Sequence, residues 1–179
     1  MLRAALLASL VIAAPVLAQD RSSFIAGPVL PDVGPIAKVE SDVPIPKGTK
    51  FKIAFDVSAK ATPGVLSRQI ETAARALNMH VANGVAQKDI QIVVIVHGPA
   101  GWDLVKSDIY AAKNDGKPNA SANAVAKLLG QGVEFILCGQ SAASQGIWKN
   151  DLLPGVKMAL SAITAHALYQ QRGYTLNPF

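Results

Sequence analysis

Residues 90–98 read IQIVVIVHG. Four consecutive β-branched residues, Ile92 to Ile95, leave no polar face for solvent. A strand of this kind is covered on both sides, the habit of parallel strands in α/β sheets. The neighbouring segments extend the pattern. KFKIAFDVS, from Lys50, alternates Phe51, Ile53, Phe55 and Val57 against Lys52, Ala54 and Asp56, which predicts a strand. Between the two, Val65, Ile70, Ala73, Ala74, Leu77 and Val81 form one helical stripe that Asn83-Gly84 ends. Thr62 is its expected cap, with Pro63 at the first helical position.

Downstream, residues 99–118 suit a short helix or ordered loop ending in the turn-rich KNDGKPN, and residues 120–132 suit a helix. VEFILC is a third strand, Val156 to Leu160 a short fourth after the Pro154-Gly155 turn, and residues 162–173 a helix closed by Gly173. YTLNPF can add a last short strand. This alternation predicts a three-layer α/β/α sandwich with a mostly parallel sheet of about five strands.

Upstream, MLRAALLASLVIAAPVLA (residues 1–18) has a basic start, a short apolar stretch and a small-residue cleavage site, as a secretory signal peptide does. No cysteine follows that stretch to carry a lipid, and no later segment is long and apolar enough to span a bilayer. The expected product is periplasmic or secreted, with no membrane segment after cleavage. Residues 19–48, with Pro28, Pro31, Pro35, Pro44 and Pro46, read as an extended arm. Val29, Leu30, Val33 and Ile36 give the arm something to bury, against its own domain or a neighbouring subunit. Residues 49–179 form the α/β domain. The net charge of +5 is scattered, with no basic cluster interleaved with aromatics, which argues against nucleic acid.

The chain has one cysteine, Cys138, so it forms no internal disulfide. Ligands of open parallel sheets bind beyond the carboxyl ends of the strands. Cys138 ends the third strand and His97 follows the second, so an imidazole and a thiol share one edge of the sheet. A helix or turn opening near Gln140 or Ser141 would aim backbone N–H groups at the sulfur and favour thiolate. Ser141 stands where a C-x-x-C motif would have its resolving cysteine, which suits persulfide carriage better than disulfide exchange. The candidate catalytic residues are Cys138 and His97, and the candidate ligand-binding residues Gly98, Gly139, Gln140 and Ser141. Inert packing is the competing role for the thiol. His80 and His166, on expected helices, read as surface or core residues. GQSAA (139–143) approaches a nucleophile elbow, but Ala143 stands in place of its second glycine. No phosphate-loop, dinucleotide or zinc motif is present, so neither a cofactor nor a metal is expected.

His-Gly-Pro-Ala (97–100), Gly-Val-x-Phe-x-x-Cys (132–138), Asp-Leu-Leu-Pro-Gly-Val (151–156) and the ending Gln-x-Gly-Tyr together resemble the DsrE/DsrF-like family, in particular its small, often exported branch. The resemblance covers about residues 50–179. It implies a three-layer α/β fold, assembly as homo-oligomers (trimers or hexamers), and persulfide carriage on the residue matching Cys138. His97 matches the family's His-Gly pair. A sulfur donor or acceptor protein is implied as partner. Relay members work in the cytoplasm whereas this leader implies export, so their particular partners are not carried over. The alternative function is a non-catalytic, oligomeric ligand- or protein-binding module with a structural cysteine.

Overall fold

The computed structural model describes residues 22–178; the leader expected at residues 1–18 lies outside them. Two short strands, β1 (Phe24–Ile25) and β2 (Ile36–Ala37), pair antiparallel within the arm. The main sheet has five strands: β3 (Phe51–Val57), β4 (Ile90–Val96), β5 (Glu134–Cys138), β6 (Lys157–Ala159) and β7 (Thr175–Asn177). Their spatial order is β6-β5-β4-β3-β7 and every pairing is parallel. The fold is the expected three-layer α/β/α sandwich.

β4 occupies the centre, which is why it needs apolar residues on both sides. Val93 to Val96 are fully buried. Val94 and Val96 face one layer, with Phe135 and Leu137 of β5 and the helices α1 (Arg68–Ala82) and α3 (Ala122–Gly130). Val93 and Ile95 face the other, with Ile136, Cys138 and α5 (Ala162–Gln171). The chain reaches β7 by crossing from the β6 edge to the opposite edge. On the way α5 runs over the second face and packs on β3, β4, β5, β6 and β7. Between β4 and β5 lie a 3-10 turn, Gly98–Leu104, and α2 (Ser107–Ala112). A further helix, α4 (Gly139–Gln145), follows β5 without a break.

The start of α1 differs from the expectation at Thr62-Pro63. Gly64 adopts φ +82° in a turn closed by Val65 N–H to Thr62 C=O, so the chain cannot yet be helical. The cap is Ser67, whose hydroxyl accepts from Ile70 N–H. Val65 is accordingly exposed.

Part of the proline-rich segment docks on the chain's own α1. Leu30, Val33 and Ile36 are buried. Asn78, fully buried on α1, replaces the missing ladder for this irregular backbone. Its Oδ1 accepts from the N–H groups of Val29 and Leu30, and its Nδ2 donates to the carbonyls of Leu30, Val33 and Gly34. Buried backbone polar groups need such partners. Among the described residues, no helix is long and apolar enough to cross a membrane.

Candidate functional site

Parallel strands bring their carboxyl ends to one edge, and the register fixes which side chains meet there. Val57 is paired with Val96, and Val96 with Leu137. Asp56 is thus the last β3 residue facing α5, and His97 and Cys138 come one step after a paired couple on neighbouring strands. His97 keeps extended backbone, and its N–H donates to Val57 C=O, continuing the ladder. Neighbouring strands are about 5 Å apart. His97 therefore stands between Asp56 and Cys138 along the strand order, on the face that α5 covers.

Cys138 is the N-cap of α4. Its Sγ accepts from Ser141 N–H at 3.5 Å. Burial pushes the thiol up, but the Ser141 hydroxyl and the N–H groups of Ser141, Ala162 and Gln140 outweigh it and hold the thiol below its ordinary range. Two helix starts, α4 and α5, thus contribute donors to one sulfur. The thiol is also more enclosed than a strand end suggests: the residue is 5% exposed and packs with Ile95, Ile136, Ala162 and Ala165.

The expected ligand-binding residues form a connected rim. Gly98 N–H donates to Ser141 Oγ at 2.9 Å, and Gln145 Nε2 donates to Gly98 C=O at 2.7 Å, tying the turn after β4 to α4. Gly139 is required by close approach: a Cβ there would lie 2.6 Å from Ala159 C=O. Gln140 is exposed and donates to Leu160 C=O. Gly139 also lines a cavity of about 340 Å³ with Ala142, Gly146, Trp148 and Met158, which Cys138 does not line.

Two residues outside the expected set join this edge. Asp56 Oδ2 lies 3.2 Å from His97 Nε2, and its Oδ1 lies 2.7 Å from His166 Nε2. His166 is therefore neither a surface residue nor one satisfied within the core; it reaches the candidate site from α5. Its Nδ1 is buried without a hydrogen-bond partner. Asp56 falls on the polar side of the alternation in β3, so the sequence alone reads it as facing solvent. His166 carries no signal either, because only the crossing of α5 brings it there. Among the described residues, no group of three or more His, Cys, Asp or Glu side chains is arranged to hold a metal ion.

Three strongly exposed apolar residues lie near this edge. Leu160 and Ile163 flank Ser161, the cap of α5, and Trp148 follows α4; they are 72%, 83% and 75% exposed. Trp102, by contrast, is partly buried against the core.

Comparison with solved structures finds the same fold at low identity. A protein of unknown function, MTH1491 from Methanobacterium thermoautotrophicum, is 19% identical with a TM-score of 0.55, over 73% of this chain and 100% of that one. The ychN protein from E. coli is 16% identical with a TM-score of 0.51, over 72% of this chain and 99% of that one. No curated protein matches the sequence. The DsrE/DsrF-like family model matches residues 50–178, from the first residues of the sheet domain through β7. On that match, the chain belongs to the DsrE/DsrF-like family.

Proposed function

We propose that the chain is an exported member of the family that carries sulfane sulfur on Cys138, receiving it from a persulfide donor and passing it to an acceptor thiol. The family is linked to sulfur relay. The observation that carries the reading is the set of donors converging on Sγ, from Ser141, Gln140 and Ala162. A thiolate is the nucleophile in sulfur transfer, and such donors are what favour it. The acid–base groups of His97 and His166 stand on the same face, and the rim Gly98–Ser141–Gln145 positions the thiol's neighbours.

Export rests on the leader pattern of residues 1–18, and N-terminal sequencing of the secreted or periplasmic product tests it. Assembly as a homo-oligomer is supported by the exposed Leu160, Ile163 and Trp148, and the mass in solution tests it.

The test of function is intact-mass measurement after exposure to a low-molecular-weight persulfide. The reading expects the mass of one added sulfur on the native chain and none on a folded Cys138→Ala variant. A second reading is favoured by the enclosure of the thiol at 5% exposure: a binding module in which Cys138 only packs. It expects the native chain to stay unmodified while the unfolded chain reacts.

A further inference from the structure

We infer that Asp56 fixes the tautomer of two imidazoles at once, and that this leaves His97 Nδ1 as the open proton acceptor beside Cys138; the transfer step below rests on the sulfur-carrier reading. Both rings meet the carboxylate through Nε2: His166 at 2.7 Å from Oδ1, and His97 at 3.2 Å from both oxygens. An ionised carboxylate only accepts hydrogen bonds. Each Nε2 must then carry its hydrogen, and in the neutral ring each Nδ1 is a bare lone pair. His166 has its Nδ1 buried without a partner, and a bare acceptor there costs less than an unpaired N–H would in the same place. His97 differs. Its side chain is 34% exposed, and its Nδ1 makes no hydrogen bond to any described residue. It is therefore the ring able to exchange protons with a substrate.

The placement relative to the sulfur comes from two elements. On α5, Ala162 packs in one cluster with Cys138, and His166 lies one turn further along the same face, on Asp56. In the sheet, His97 occupies the strand between the two. Asp56 and His166 are positioning residues; His97 is the group that meets the reactants.

The step balances without an oxidant. His97 Nδ1 takes the proton of the Cys138 thiol. Sγ attacks the outer sulfur of a persulfide R–S–SH, forming the Sγ–S bond as the donor's S–S bond breaks. The electron pair leaves on RS⁻, and His97 returns its proton to it. The products are Cys138–S–SH and RSH, with the imidazole restored.

Nitrogen-15 NMR of the full chain near pH ~8, above the ordinary imidazole range, tests the assignment. The chain has three histidines, and His80 is an internal contrast, since its Nδ1 meets Ala76 C=O at 2.6 Å and must carry the hydrogen. The expected wild-type spectrum has His80 in the Nδ1–H form and both His97 and His166 in the Nε2–H form, assigned with single His→Gln variants. Asp56→Asn keeps one acceptor oxygen but offers an NH₂ in place of the other. The shorter contact keeps His166 on the oxygen; His97 Nε2, 3.2 Å from both positions, then faces the NH₂ and an oxygen already taken, and shifts to Nδ1–H. Sulfur uptake from a persulfide then slows about 100-fold, the low end of what a positioned base contributes. A wild-type His97 in the Nδ1–H form overturns the inference, as does a switched tautomer with uptake changed less than about twofold. Should no form of the chain take up sulfur, the carrier reading fails, and the wild-type and Asp56→Asn tautomers alone decide whether Asp56 holds the imidazoles as described.

Discussion

Replacing Asn78 by Ala tests the docking of the arm, and its cost can be worked from contacts. The side chain makes five hydrogen bonds to residues 29–34, and none of the backbone groups concerned is offered another partner by α1. Each net hydrogen bond is worth about 1 kcal/mol, and each orphaned buried group about 1–3. If the segment stayed in place, Leu30 C=O would still accept from Val33 N–H, and the other four orphans would cost on the order of 4 kcal/mol or more. The alternative is release. Burial of Leu30, Val33 and Ile36 is worth about 1.5–3 kcal/mol each. Ordering some ten residues of backbone costs about 1–2 kcal/mol per residue. Apolar burial alone therefore does not hold the segment down, and Asn78→Ala releases it at the cost of what docking contributed, up to about 4 kcal/mol. Urea unfolding reads the loss, together with a smaller m-value because the variant's native state already exposes the arm. Limited proteolysis reads the release as faster cleavage between residues 22 and 48. The arm lies on the α1 layer, across the sheet from Cys138, so the rate of Cys138 alkylation stays at the wild-type value. A loss below about 1 kcal/mol with unchanged proteolysis would refute the reasoning.

Two further predictions concern charge. Ser141→Ala removes the hydroxyl donor to Cys138 and leaves Gly98 N–H without its acceptor. With a charge-assisted hydrogen bond worth about 1.5 kcal/mol, alkylation by iodoacetamide near neutral pH slows about tenfold; an unchanged rate would remove the hydroxyl from the account. Asp103 is 1% exposed, with Oδ1 unpartnered and Oδ2 accepting from Ala61 N–H, and burial pushes its carboxyl up to about 6. The folded chain then binds more protons than the unfolded chain between about pH 4 and 6. Stability from this group is complete below that window and falls as pH rises through it, by up to about 3 kcal/mol. Asp103→Asn flattens that slope in urea titrations; a slope that persists unchanged would assign it to other groups.

The strands were legible because each carries its own signal. The β-branched run of β4 announces two covered faces, and the alternation of β3 announces a strand. Strand order was not legible, since parallel pairing joins residues far apart in sequence, and His166 reaches Asp56 only because α5 crosses from one edge of the sheet to the other. Asp56 sits among the polar positions of an alternating strand, which suggests solvent, until α5 is known to cover that side. α4 was foreshadowed only as a helix or turn of unstated length, because GQSAASQ has no apolar stripe; of its residues Ala142 alone is buried. Cys138, His97 and the Gly98–Ser141 rim were visible as strand ends followed by small residues, and the structure groups them on one edge. The enclosure of the thiol was not visible, since it depends on Ala162 and Ala165 of α5.

The central claim is that folding favours the thiolate of Cys138, which then accepts sulfur. Its most direct measurement is the rate of sulfur uptake from a low-molecular-weight persulfide, followed by intact mass, for the native chain and for the same chain unfolded in urea. The account predicts faster uptake by the native chain near neutral pH, because folding supplies the donors that favour the anion over the thiol. Uptake by the unfolded chain alone would contradict it and leave Cys138 as packing.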